Sequence, residues 1–186
     1  MKKPLTTLLF VVTTYLCCAQ NISNHSSVNA NGQINTKPFD FAANAEKLVT
    51  EIVDAVGLKQ NFTIKAADVL NVEAVIKHGE RLIKYNPAFI TALNNEAKDQ
   101  WASVFVLAHE IGHHLNGHTL LKNNRPPSIE LDADEFAGFV MNKMGATLAQ
   151  VKLAVAYIAN PIASKTHPDM GDRLAAVERG WNKAEK

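Results

Sequence analysis

The hydrophobic pattern changes period twice along the chain. Between Phe39 and Val56 the apolar positions Phe41, Ala45, Leu48, Val49, Ile52, Val53 and Val56 recur at helical spacing, and Gly57 closes the run. This predicts an amphipathic packing helix. From Phe62 the period drops to two: Phe62, Ile64 and Ala66 alternate with polar residues, as do Val72, Ala74 and Ile76, and Leu82, Ile83 and Tyr85 follow the turn residues His78 and Gly79. Three short antiparallel strands are expected, the last two as a hairpin. Asn86 and Pro87 break the third strand, a short helix follows over Ala88 to Leu93, and a longer one over about Glu96 to Asn116, stopped by Gly117.

The Glu96–Asn116 helix is apolar nearly all round, with Trp101, Val104, Phe105, Leu107, Ala108, Ile111 and Leu115 distributed over every face. Beyond it, Pro126 and Pro127 signal a new helix with Ser128 as cap, continuing through Phe136 to Met144 until Gly145. Thr147 and Gln150 form a capping box for a helix over Leu148 to Ala159, ended by Asn160 and Pro161. Pro168 opens a last helix, which Gly180 and Trp181 close. Strands followed by helices predict the α+β class: a small antiparallel sheet, then a helical half.

Composition narrows this picture at two points. The chain has 186 residues and a formal net charge of +1, with no basic stripe and no interleaving of aromatic and basic residues, which argues against a nucleic-acid partner. Its start reads as a targeting segment. Lys2 and Lys3 precede a mostly apolar run, Leu5 to Leu16, shorter than the ~20 residues a bilayer span requires. Cleavage after Ala19 would make residues 1–19 a signal peptide and send the protein to the periplasm or outside the cell. It would also remove Cys17 and Cys18, the only cysteines, so no disulfide is expected. A lipid anchor on Cys17 or Cys18 is the competing reading, which the bulky residues Thr14, Tyr15 and Leu16 disfavour. Residues 20–38 are rich in Asn, Ser and Gly and read as a linker, leaving 39–186 as one domain with no further apolar stretch long enough to span a membrane.

The apolar helix carries polar chemistry at its centre. His109, Glu110, Ile111, Gly112 and His113 form an H-E-x-x-H motif. Residues four apart share a helix face, so His109 and His113 offer two imidazole nitrogens to one metal ion, while Glu110 lies about 100° round the helix, within reach of a metal-bound water. The type of centre these residues suit is zinc that activates water, which takes three protein ligands. His118 fits the H-E-x-x-H-x-x-G-x-x-H spacing only one residue out of register, and is read with His114 as a helix-end residue. Glu130 is the better third ligand. Asp134, four residues on and on the same face, is placed to accept a hydrogen bond from the far nitrogen of His109. The small residues Ala133, Ala137 and Gly138 would let this helix approach the motif helix closely, and Asp132 and Glu135 fall on solvated faces.

Three ordered motifs now stand together: His109-Glu110-x-x-His113, then Glu130-x-x-Ala133-Asp134, then Thr166-His167-Pro168 with Arg173 five residues beyond the proline. Over Val104 to Arg173 the chain resembles the HtpX-like and CAAX-prenyl-protease-type zinc metallopeptidases, gluzincins whose members often carry transmembrane helices. It is most similar to the small secreted members. The arginine that often precedes the Glu ligand is absent, since Ser128 and Ile129 stand there. The resemblance implies a minimal zincin core and a zinc-dependent metalloendopeptidase, with one Zn2+ on His109, His113 and Glu130 and Glu110 as general base. It also implies that the loop bearing His167 lies over the metal. His167 would then either donate to the developing oxyanion or close the fourth metal position and hold the enzyme latent, while a plain helix cap is the alternative. Arg173 would steady the carboxylates of the site or the oxyanion. A protein or peptide substrate is expected, and an exposed sheet edge offers it a place as one more strand. A zinc hydrolase of non-peptide amides or esters, and a zinc-bearing binding or chaperone-like module without turnover, remain the rival readings.

Overall fold

The computed structural model describes residues 41–121, 126–159 and 167–185. The expected signal peptide and linker, the helix stop at Asn160 and Pro161, and Thr166 lie outside the described residues. The class is α+β: six helices and one three-stranded sheet among the described residues. Helix α1 spans Phe41–Ala55, β1 Thr63–Ala66, β2 Val72–Lys77, β3 Glu80–Tyr85, α2 Pro87–Ala97 and α3 Trp101–Leu115. A single 3₁₀ turn, His118–Leu120, precedes α4 (Ser128–Lys143), α5 (Leu148–Ile158) and α6 (Met170–Lys183).

The sheet corrects the expectation of three antiparallel strands. Its order is β1-β3-β2, with β2 antiparallel to β3 and β1 parallel to it. Alternation reports which face a side chain takes, not which strand its backbone joins. The pairing is set at one end of β3, where Ala67 N–H donates to Tyr85 O, Asn86 N–H donates to Asn71 O, and the Asn86 amide donates to Val69 O. These bonds carry residues 67–71 across the end of β3 and deliver β2 to its other side. The β2–β3 hairpin turns at His78 and Gly79, both with positive φ (53° and 82°), the combination a two-residue type I′ turn requires.

The helix boundaries also refine the sequence reading. Helix α2 runs to Ala97 and ends on Lys98 in the left-handed conformation; α3 then starts afresh, with Trp101 N–H donating to the Asp99 carboxylate. Ser128 lies inside α4, and no side chain caps that helix. The Thr147–Gln150 capping box of α5 is present as read.

Helix α3 is the hub of the core. Trp101 through His109 are all buried, with Phe105, Leu107 and Ile111 fully enclosed, and α3 packs against β2, α2, α4 and α5. Helix α4 lies between α3 and α6. It meets α3 where a Cβ on Gly112 would stand 3.2 Å from Ala133 Cα, and it meets α6 through two further glycines. Gly138 faces α6, not α3 as expected: a Cβ there would overlap the Val177 carbonyl. Gly180 is no helix stop, since α6 runs through it to Lys183, and a Cβ on it would overlap the Glu135 carbonyl. The two helices therefore cross nearly backbone to backbone.

This crossing makes a direct prediction. Gly138→Ala and Gly180→Ala each force a methyl into backbone that has no rotamer to yield, and each is expected to cost about 3 kcal/mol in urea unfolding, the upper part of the range for overpacking. A loss below about 1 kcal/mol in both variants would show that α4 and α6 part without penalty.

Candidate metal centre

Two imidazoles and one carboxylate from two helices converge. The four-residue spacing on α3 brings His109 Nε2 and His113 Nε2 to 3.1 Å. Glu130, in the first turn of α4, places Oε2 3.3 Å from His109 Nε2 and Oε1 3.5 Å from His113 Nε2. In a tetrahedral centre with bonds of about 2.0–2.1 Å, neighbouring donors stand about 3.3 Å apart. The separation of the two imidazole nitrogens and the two carboxylate separations, each to a different Glu130 oxygen, lie close to that edge length. His109, Glu110 and His113 also form a group in which one donor from each lies within 4.8 Å of the others, so the described residues can hold a metal ion. Within that group Glu110 is the odd member. Its Oε2 accepts a 2.7 Å hydrogen bond from Ala74 N–H on β2, which leaves Glu130 the better-placed third donor.

The far nitrogen of His109 is engaged as well. His109 Nδ1 lies 2.9 Å from Asp134 Oδ1, and Asp134 is fully buried. The buried Arg173 of α6 grips the same carboxylate with two bonds, Nε to Oδ2 at 2.8 Å and Nη2 to Oδ1 at 2.7 Å. Burial alone would push the Asp134 carboxyl up, but these bonds outweigh it and hold it below its ordinary value. Burial likewise opposes charge on His109, yet the bonds to Asp134 and Glu130 raise it to about 10 in the metal-free protein. Glu130 is drawn down to about 2, because the His109 bond and the charges of His109, His113 and His167 overcome its desolvation. Glu110 moves the other way, to about 7, because burial outweighs the His109 charge and the Ala74 bond.

The remaining histidines divide. His114 is buried, stacked on Phe62 at 5.6 Å, with Nε2 2.9 Å from Leu82 O and Nδ1 3.3 Å from Thr119 Oγ1. Burial lowers its pKa, so the neutral ring donates to Leu82 O and ties α3 to β3. His118, set aside by register, is buried with Nδ1 3.0 Å from His113 Nδ1. No helical periodicity places it there: Gly117, at φ 73°, turns the chain back after α3. Asp132, read as solvated, is largely exposed but has Oδ2 3.7 Å from His118 Nε2, and Glu135 pairs with Arg179 and Lys183. His167 is exposed, and its charge reaches Glu130. Arg173 is committed to Asp134.

Compared with protein-family models, with curated proteins and with solved structures, the chain matches none.

Two outcomes follow from these contacts. Asp134→Ala leaves the Arg173 guanidinium buried without its partner and is expected to destabilise the protein by about 3–5 kcal/mol in urea unfolding. A loss under about 1 kcal/mol would mean that Arg173 finds water. In the metal-free protein, His109 has a folded value above its unfolded 6.5, so its stabilisation is complete below pH 6.5 and lost as pH climbs through about 10. Glu110, also raised, adds a loss between 4.5 and about 7. The urea midpoint of chelator-treated protein should therefore fall from pH 6 to pH 10, and a flat or rising midpoint would contradict the assigned charges.

Proposed function

We propose that this protein is an exported, zinc-dependent metalloendopeptidase built on a zincin-like core, with His109, His113 and Glu130 as the metal ligands. The observation that carries the reading is the convergence of His109 Nε2, His113 Nε2 and the Glu130 carboxylate close to tetrahedral edge lengths, with a second carboxylate, Glu110, beside them and one of its oxygens held by Ala74 N–H. The set of two imidazoles and a carboxylate suits zinc, and it leaves a fourth position for water or substrate. A zinc ion held there supplies Lewis acidity to a water molecule and to the carbonyl under attack.

The chain's own residues do the rest. Glu110 takes the proton of the attacking water and hands it to the leaving amide nitrogen. Asp134, fixed by Arg173, accepts the Nδ1 proton of His109 and keeps the Nε2 lone pair on the metal side. Because Glu110 accepts from Ala74 N–H, the base sits against the edge of β2 that no described strand pairs. Backbone groups alternate along a strand, so Val72 and Ile76 turn to that edge with Ala74, while Glu73, Val75 and Lys77 turn to β3. An extended peptide added along this edge brings its carbonyl alongside α3. His167, which acts on Glu130 electrostatically, would either donate to the oxyanion or close the fourth metal position, a plain helix cap being the alternative. Export rests on residues 1–19; no described helix is long and apolar enough to cross a membrane.

The test is metal content and cleavage of casein and a peptide library by the purified protein beside Glu110→Gln and His167→Ala. About one zinc per chain is expected, with cleavage by the wild type and a loss of about 10²–10⁴-fold in Glu110→Gln while its zinc stays. Near wild-type turnover in Glu110→Gln would sink the mechanism. Turnover of small amides or esters alone would make the protein a non-peptide hydrolase. Cleavage only after His167→Ala would identify a latent enzyme. Zinc without turnover in any form would leave a binding module.

A further inference from the structure

The two candidate histidine ligands have different partners behind them. His109 is backed by a buried carboxylate, Asp134. His113 is backed by a third imidazole: His118 Nδ1 lies 3.0 Å from His113 Nδ1, with the rings edge-on at 67° and their centroids 5.2 Å apart. A hydrogen bond between two imidazole nitrogens needs one proton, so one ring donates and the other accepts. The direction decides whether His113 can ligate. If His118 donated, a neutral His113 would carry its proton on Nε2, the atom that faces the centre. If His113 donates, its Nε2 lone pair is free for a metal.

We infer that His118 is a positioning residue that accepts the Nδ1 proton of His113 and so holds His113 in its metal-ligating tautomer. The inference rests on the metal reading above. Asp132 biases the direction. Its Oδ2 stands 3.7 Å from His118 Nε2, a charge contact longer than a hydrogen bond, and its negative charge favours the tautomer with the proton on Nε2, which leaves an acceptor at Nδ1. The placement is built into the chain reversal: Gly117, in the left-handed conformation, turns the 3₁₀ segment back along α3 and buries the His118 ring. The relay runs from Asp132 through His118 to His113, parallel to the one from Arg173 through Asp134 to His109. The first ends on a largely exposed carboxylate and the second on a buried ion pair.

Three variants of the full-length protein separate this role from simple packing. His118→Asn puts a side-chain oxygen near the position of Nδ1, His118→Gln puts it near Nε2, and His118→Ala removes it. Zinc affinity by chelator competition should fall about ten- to a hundredfold in the Ala and Gln variants, the usual cost of losing the partner of a ligating histidine, and stay within about threefold of wild type in the Asn variant. In zinc-loaded wild-type protein labelled with nitrogen-15 in histidine, His113 should show its proton on Nδ1 and His118 on Nε2. Wild-type affinity in both the Ala and Gln variants, an Asn variant no tighter than Gln, or a His118 proton on Nδ1 would each overturn the inference. The Asn–Gln contrast decides it even if the Ala variant does not fold. If the wild type binds no zinc, the metal reading fails; if it binds zinc without the Asn–Gln contrast, this inference alone fails.

Discussion

A buried charge pair underlies the site. Asp134 has no exposed surface, and a carboxylate in that position is tolerable only with close partners. Arg173 supplies two bonds and His109 a third, so one carboxylate joins α6, α4 and α3. The forked geometry of guanidinium on carboxylate fixes orientation as well as distance. Because the ring of His109 hangs from this pair, its Nε2 direction is set by α6, an element that contributes none of the three converging donors.

The pair forms only because α4 and α6 come close enough. Gly138 and Gly180 remove the side chains that would hold the two backbones apart, and Gly112 does the same where α3 meets α4. Glycine inside a helix lowers its intrinsic stability by about 1 kcal/mol relative to alanine. Here that cost is offset by contacts a wider crossing would not allow, and the gain reaches the site as a Glu130 carboxylate within 3.5 Å of both histidines.

The sheet contributes through its edge. His114 binds Leu82 O, Arg81 binds His114 O, and Glu110 binds Ala74 N–H, so three side chains lock the end of α3 to the β2–β3 hairpin. The hairpin thereby sets the position of the Glu110 carboxylate. In the proposed peptidase, the strand that holds the base is also the edge strand of the sheet.

The sequence alone determines what depends on spacing within one element. Period three to four marks α1 and α3, period two marks the strands, and the four-residue intervals put His109 with His113 and Glu130 with Asp134 on shared faces, because helix geometry is local. It also carries the α+β class, since the order of periods is the order of elements. Tertiary structure alone decides what depends on how elements meet. The parallel pairing of β1 with β3 arises from backbone bonds at the end of β3, to which side-chain alternation is blind. The turning of Gly138 towards α6 and the passage of α6 through Gly180 follow from a close crossing of backbones that no residue pattern announces. His118 reaches His113 only because Gly117 reverses the chain, so a fixed helical register misses it. Arg173 meets Asp134 across 39 residues of separation, a contact set by packing and not by spacing.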